Sequence, residues 1–332
     1  MKKVILGFVM ITAALVFLLN AFLTKEHREV KNYIEEKYRF SADIKKVESY
    51  GFPSDNEYIV SPSHNMDLEF TVIPDPREDA FTDDYPKAKE AYQESQKLKK
   101  SAPEIKKLGF HSLEHEELRL SFNQRNNYFT LILQTDSPID IASFEEKELD
   151  RFFKLQELIK KSNAKVNHVT VYDNRDLVDR NSIILNMQHL REVKTKEELL
   201  LGIKKSDSGI ASFYENEKWK AEKEKVENDR FTFGSEYSES WFWFSCSVTN
   251  EKGECSNIFV SVYFSENMLT KTNEYLEEDL NSIFTLFEKT IAPNAAIEYN
   301  FLEQGSHNSV RFTKNQIANY ESTEKFINKN FK

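Results

Sequence analysis

The feature that most constrains this chain is the run from Val4 to Leu23, which carries no charged residue and is bracketed by Lys2 and Lys3 before it and by Lys25, Glu26 and His27 after it. At about 1.5 Å of rise per residue, a helix of that length covers the ~30 Å hydrocarbon core of a bilayer, whereas the apolar region of a cleaved signal peptide is usually shorter. The expectation is therefore an uncleaved single-pass anchor through residues 4–23, with 1–24 forming the membrane segment. Ala21 is a poor cleavage site because Leu19 stands where a small side chain is preferred. Cleavage would instead give a secreted protein. No cysteine lies near the end of the apolar run, which closes the route to lipid modification there. Lys2 and Lys3 favour a cytoplasmic N-terminus with the bulk of the chain outside, although Lys25 and Arg28 reduce the asymmetry.

Beyond the apolar run the chain has the composition of a folded protein. Hydrophobic residues make up 39% of the chain, and 26 Phe and 14 Tyr supply enough aromatic surface for packed cores rather than disorder. Length suggests two domains. A net charge of −10 argues against a nucleic-acid surface or a broad basic face.

Periodicity gives an α+β reading. Val30, Tyr33, Ile34 and Tyr38 recur at helical spacing. Strand-like stretches follow at 44–50, 57–60 and 68–73, with Pro74 and Pro76 ending the run, and a charged helical region then covers 88–108 with Pro103 breaking it. Next come a hairpin over 118–122 and 128–133, a helix over 143–161 and a strand over 166–172. The same order returns as a hairpin over 241–248 and 258–264, a helix over 276–290 and a strand over 296–302. At an offset of 131 (284 minus 153), Phe153 meets Phe284, Leu155 meets Leu286, Glu157 meets Glu288, and Asn163 and Ala164 meet Asn294 and Ala295. These matches predict a diverged tandem repeat of two small-sheet-plus-helix domains, 25–175 and 176–332. Two copies are too few for a solenoid, so each domain should be self-contained.

Two segments of the first domain carry a family resemblance. Val30-Lys31-Asn32-Tyr33-Ile34-Glu35-Glu36-Lys37-Tyr38 comes directly after the apolar run, and Asp83-Asp84-Tyr85 leads the long charged helix. In these features the chain resembles an uncharacterised YfjL-like group of membrane-anchored proteins of Gram-positive bacteria (Firmicutes). The resemblance implies an extracytoplasmic α+β module and brings no catalytic residue with it.

Chemical motifs are sparse. His111-Ser112-Leu113-Glu114-His115 has the H-x-x-E-H pattern, in which a helix puts two imidazoles on one face and a glutamate beside a zinc-bound water. Here the strand-like 118–122 comes soon after it, leaving little room for that helix. A zinc-dependent envelope hydrolase using His111, Glu114 and His115 is the enzymatic alternative, and an exposed connector is the plainer one. Neither a phosphate loop nor a dinucleotide fingerprint is present, and no cofactor is expected. Asp75, Asp79, Asp83 and Asp84 lack the calcium-loop pattern, so helix capping by Asp83 or Asp84 is the expected role. Trp241 and Trp243 alternate with Phe242 and Phe244, so they could share a partner-binding face or be buried. Glu215–Glu227 reads as a solvated charged helix with Trp219 as its packing anchor.

Cys246 and Cys255 flank a turn at Asn250–Gly253, and an outward location would permit a disulfide between them. A regular ladder would put them on opposite faces, so a bridge requires a bulge. The leading functional expectation is a noncatalytic envelope protein that binds or regulates another protein. A structural spacer and an immunity-type protein fit the same architecture.

Overall fold

The computed structural model describes residues 25–49, 56–75, 80–113, 116–123, 127–176, 180–234, 243–305 and 309–332. One compact unit comprises the described residues up to Pro103 together with Glu114–Ile132 and Ser162–Val166. The other comprises Glu104–Leu113, Leu133–Lys161 and Asn167–Lys332. The class is mixed α+β, with three sheets among the described residues. No helix among the described residues is long and apolar enough to cross a membrane, and the run 4–23 lies outside them.

The first unit opens on a helix, α1 (25–38), that buries Val30 and Ile34. Arg39 ends it in the left-handed region at φ 61°, its N–H donating to Glu35 O at 2.9 Å. An antiparallel meander comes next: β1 (Ala42–Ser49), β2 (Asn56–Pro62), β3 (Phe70–Asp75) and β4 (Ala80–Asp83). The α1 residues share a core with Tyr58, Val60, Phe70 and Val72 of the sheet and with Ala88 of α2 (Tyr85–Leu98). Pro74 does not end the sheet as its ring chemistry predicts. It lies in β3 opposite Phe81, beyond the Phe70–Val72 stretch that pairs with β2. Its missing N–H therefore removes no bond from that ladder. The predicted helical region 88–108 is two helices, α2 and α3 (Ala102–Lys107), and Pro103 stands in the first turn of the second, where no N–H is needed.

The middle sheet has the order β5 (Phe110–Ser112), β7 (Tyr128–Thr135), β8 (His168–Tyr172), β9 (Ser182–Asn186). β5 pairs with the end of β7, and β6 (Leu120–Asn123) pairs with its start. The segment YFTLILQT of β7 alternates between half-buried and buried positions, as period-2 sequence requires. After β7 come α4 (Phe144–Lys147) and α5 (Leu149–Ser162), the latter burying Leu149, Phe152, Leu155, Gln156 and Ile159 at helical spacing. Phe152 meets Phe110 and Phe144 with ring centroids 5.2 and 5.1 Å apart. α6 (Met187–Leu190) and α7 (Lys196–Ser206) close this stretch. Two outward N–H groups of β9 are taken by side chains at and just after α7's last turn: Ile184 N donates to Asp207 Oδ2 at 2.9 Å and Asn186 N to Ser206 Oγ at 3.0 Å.

The last sheet has the order β10 (Phe231–Phe233), β12 (Cys255–Phe264), β13 (Ala296–Glu303), β14 (Ser309–Thr313), with β11 (Phe244–Thr249) also pairing β12. β12 and β13 run parallel, joined through α9 (Leu276–Thr285), whose end continues as a π-helical turn, Leu286–Ile291. Helix α8 (Ser208–Glu224) precedes this sheet and buries Trp219, while α10 (Lys314–Ala318) and α11 (Thr323–Asn330) come after it. Ile258, Val260, Val262, Phe264, Leu280, Ile283, Phe287, Tyr299 and Phe301 form one core.

Cys246 and Cys255 are joined by a disulfide. Register shifts between Cys246 and Val248 and between Val248 and Thr249 bring their Cα atoms to 5.5 Å, which a regular ladder would prevent. The intervening turn needs Gly253: its φ is 72°, and a Cβ there would stand 2.8 Å from Leu201 Cδ1 of α7. Because the bridge closes a short loop, reduction should lower stability by about 2–3 kcal/mol, mainly through the unfolded chain. Urea unfolding with and without reductant measures this, and identical midpoints would contradict it.

Candidate functional site

A groove of about 740 Å3 on the second unit runs between the end of α8 and the outer face of α9. Glu222, Lys225 and Val226 form one wall. Glu274, Glu277, Glu278, Asn281, Ser282 and Thr285 form the other, with Leu286 and Thr290 of the π-turn completing it.

Local sequence explains much of this wall. Glu277, Glu278 and Asp279 occupy the first turn of α9, where carboxylates favour the positive end of the helix. Asp279 turns inward and is buried. It accepts from Arg230 Nε at 2.8 Å, from Arg230 Nη2 at 2.6 Å and from Asn228 Nδ2 at 3.0 Å. That bonding, above all, raises the Arg230 pKa further. Glu277 and Glu278 remain exposed. The wall's one cation, Lys225, is engaged by Glu222 at 2.5 Å. The groove is thus lined by four glutamates and one lysine, with amide and hydroxyl groups between them. It suits a cationic segment, and no nucleophile among its lining residues has a base beside it.

A second groove, about 470 Å3, lies between α3 and α5 and is lined by Glu104, Leu108, Lys154, Glu157, Leu158 and Lys161. Its charges balance.

The residues singled out from sequence fare differently. His111 lies in the extended strand β5, with Nδ1 3.2 Å from Asp136 Oδ1, so it does not start a helix that could stack two imidazoles. Glu114 and His115 lie outside the described residues. Among the described residues no group of three His, Cys, Asp or Glu is placed to hold a metal ion.

Trp241 also lies outside them, whereas Trp243 is 1% exposed. Its indole packs against Phe233 and Phe287, and its Nε1 donates to the buried Asn216 of α8. Of the two readings open for Trp243, burial is the one realised, so it is a core residue and not part of a partner-binding face.

The expected capping falls to Asp83 and not to Asp84: Asp83 Oδ1 accepts from the N–H of Tyr85, the first residue of α2, at 3.0 Å. Asp84 precedes α2 without capping it. Its Oδ1 instead accepts from Thr71 N of β3 at 2.6 Å, and its backbone lacks the extended conformation of a good N-cap. Asp79 lies outside the described residues.

Asp83 does something its sequence did not announce. Its side chain is fully buried and gathers four donors: Tyr33 Oη at 2.5 Å, Lys37 Nζ at 2.6 Å, Tyr38 Oη at 2.6 Å and Tyr85 N at 3.0 Å. Burial alone would raise its pKa, but the bonds from Lys37, Tyr33, Tyr38 and Tyr85 together outweigh it and hold the carboxyl below its ordinary value. Burial, then Asp83, pushes the Tyr38 hydroxyl up to about 12. The two short motifs that carried the family resemblance are therefore joined in one network. The only signal available in sequence was a pair of tyrosines and a lysine at helical spacing, with no indication of the partner.

Comparison with protein-family models, with curated proteins and with solved structures found no match to this chain.

Proposed function

We propose that this chain is a membrane-anchored, extracytoplasmic, noncatalytic protein that binds another envelope protein. The observation that carries the binding reading is the α8–α9 groove, with glutamates on both walls, one engaged lysine and no paired nucleophile and base in its lining. A lysine- or arginine-bearing segment of the partner fits that chemistry. The membrane reading rests on residues 4–23, and a buried disulfide is at home in an oxidising compartment outside the cytoplasm.

The two later sheets are, in this reading, diverged copies of one module, running from α2 to α7 and from α8 to α11 rather than over 25–175 and 176–332, because β9 pairs with β8 across Asp176. Several observations support it. In each, two short strands pair successive stretches of the same long strand, and the chain then passes through a helix into two further strands and two short helices. Ser95 Oγ of α2 bonds back to Ala91 O at 2.7 Å and accepts from Leu120 N of β6 at 2.8 Å. Ser212 Oγ of α8 likewise bonds back to Ser208 O at 2.6 Å and accepts from Cys246 N of β11 at 2.8 Å.

The buried faces agree as well. At the offset of 131, Phe129, Leu131 and Leu133 match Val260, Val262 and Phe264, and Leu149, Phe152 and Leu155 match Leu280, Ile283 and Leu286. At the end of the helix the buried match moves by one residue, Ile159 to Ile291 (291 minus 159 is 132), while Asn163 and Ala164 keep the offset of 131 to Asn294 and Ala295. The π-turn Leu286–Ile291, wider than an α-helical turn, carries Ile291 rather than the exposed Thr290 to the buried face, which accounts for the local step.

The binding reading is tested with a photo-crosslinker placed at Ser282 of the full chain in cells, with and without the E277K/E278K pair. Both glutamates are exposed, so the fold should persist while crosslinking to a discrete partner falls roughly tenfold or more by like-charge repulsion. Unchanged crosslinking in the reversed-charge variant would sink the groove as the binding site.

A further inference from the structure

The edges of the two later sheets are finished differently. β9 and β14 hold equivalent places. Asn186 and Thr313 end these strands and cap the short helices α6 and α10, and Thr195 and Ser322 cap the helices that follow, each pair 127 residues apart (313 minus 186, 322 minus 195). The outer edge of β9 is sealed, because Asp207 and Ser206 take the outward N–H groups of Ile184 and Asn186. Its core-facing Ile183 and Leu185 are fully buried.

β14 lacks both features. The Thr313 N–H points away from β13 and donates to Gln316 Oε1 at 2.8 Å. The antiparallel register is unbroken from Ser309 to Thr313, so strand alternation turns the Arg311 N–H outward as well, as at the equivalent Ile184 (311 minus 184 is 127). No acceptor meets that N–H among the described residues. Val310 and Phe312, which match Ile183 and Leu185, are half-buried against the core. α11 packs Phe326 on Phe312 with ring centroids 4.8 Å apart, and none of its described side chains bonds to the strand edge.

An open edge with an unbonded amide and half-covered apolar side chains is a template for one more strand. The charge at its centre selects what that strand carries. Arg311 is exposed, and Glu298 meets its Nε at 3.3 Å, which uses part of a fork of five donors. Two copies of this chain pairing about the centre of β14 would set Arg311 against Arg311, which is unfavourable. An acidic side chain opposite Arg311 is favourable, and apolar residues on either side of it would cover Val310 and Phe312.

We propose that the outer edge of β14 takes up an extended segment of another protein, in which an acidic residue stands between apolar ones, as an additional strand of the sheet. The equivalence of β9 and β14 rests on the repeat reading, while the unbonded Arg311 amide and the half-buried Val310 and Phe312 stand without it.

The test places a photo-crosslinker at the exposed Ser309 of the full chain in cells and sequences the captured segment by mass spectrometry. Arg311→Pro removes the outward N–H without breaking the β13 ladder, so its thermal melt should stay close to that of the parent. Arg311→Glu keeps the N–H and reverses the charge, and it carries the test alone should the proline variant fail to fold. The expected result is one discrete segment with an acidic residue between apolar ones, captured about tenfold less in either variant. Capture of this chain itself, or of a segment without that acidic residue, would overturn the partner assignment. No capture, or capture indifferent to both variants, would overturn the edge as a docking surface.

Discussion

Replacing Trp243 with alanine should cost about 3–5 kcal/mol of stability, the range for deleting a large aromatic side chain from a packed core. The indole touches Phe233, Phe244 and Phe287, so truncation opens a cavity between β11 and the helices that cover it. Its Nε1 adds a polar component. Asn216→Ala keeps the ring in place but leaves the indole N–H buried without an acceptor, at about 1–3 kcal/mol. The double variant should cost less than the sum, because the penalty for the unpaired N–H disappears with the ring. Chemical unfolding of the three variants measures this. A Trp243→Ala variant as stable as the parent would mean that the indole is not packed as described.

Asp83→Ala should cost the first unit about 2–3 kcal/mol. It strands the hydroxyls of Tyr33 and Tyr38 and removes the counter-charge of Lys37. Lys37 keeps 45% of its side-chain surface in water and can rehydrate, which places the cost below that of a fully buried broken pair. The pH dependence has two arms. The Asp83 pKa is lowered in the folded state, so its contribution is present above the unfolded value near 3.8 and is lost as pH falls through the folded value. Tyr38 is raised from 10.0 to about 12, so its contribution is complete below pH 10 and is lost as pH rises through that window. The parent should weaken at both extremes, and the Asp83→Ala variant should show a flatter profile. Equal pH profiles would contradict the network.

The legible part of the sequence was local and repetitive. The apolar alternation of 128–135, the 3.6-residue spacing of Leu149, Phe152, Leu155 and Ile159, and the order hairpin, helix, strand all reappear at the expected places. The short flanking strands β5, β9, β10 and β14 escaped. Three to five residues that owe their conformation to a neighbouring strand carry little period of their own. Trp243 was ambiguous for a related reason: strand alternation puts Trp and Phe on opposite faces, but only the presence of Asn216 on α8 says which faces are covered. Asp83 was legible only in part: its bond from Tyr85 N is the local contact that capping foresees, whereas its three side-chain donors come from a helix some 45 to 50 residues earlier. The Ser95 and Ser212 tethers were invisible because a mid-helix serine usually bonds only to its own backbone.

The reading of this chain as an outward-facing anchored protein is tested most directly by adding protease to intact cells that carry a C-terminal tag, with mass spectrometry of the N-terminus of the purified protein. The account predicts that the tag is digested and that residues 1–23 are retained. A tag protected in intact cells and digested only after lysis would contradict it.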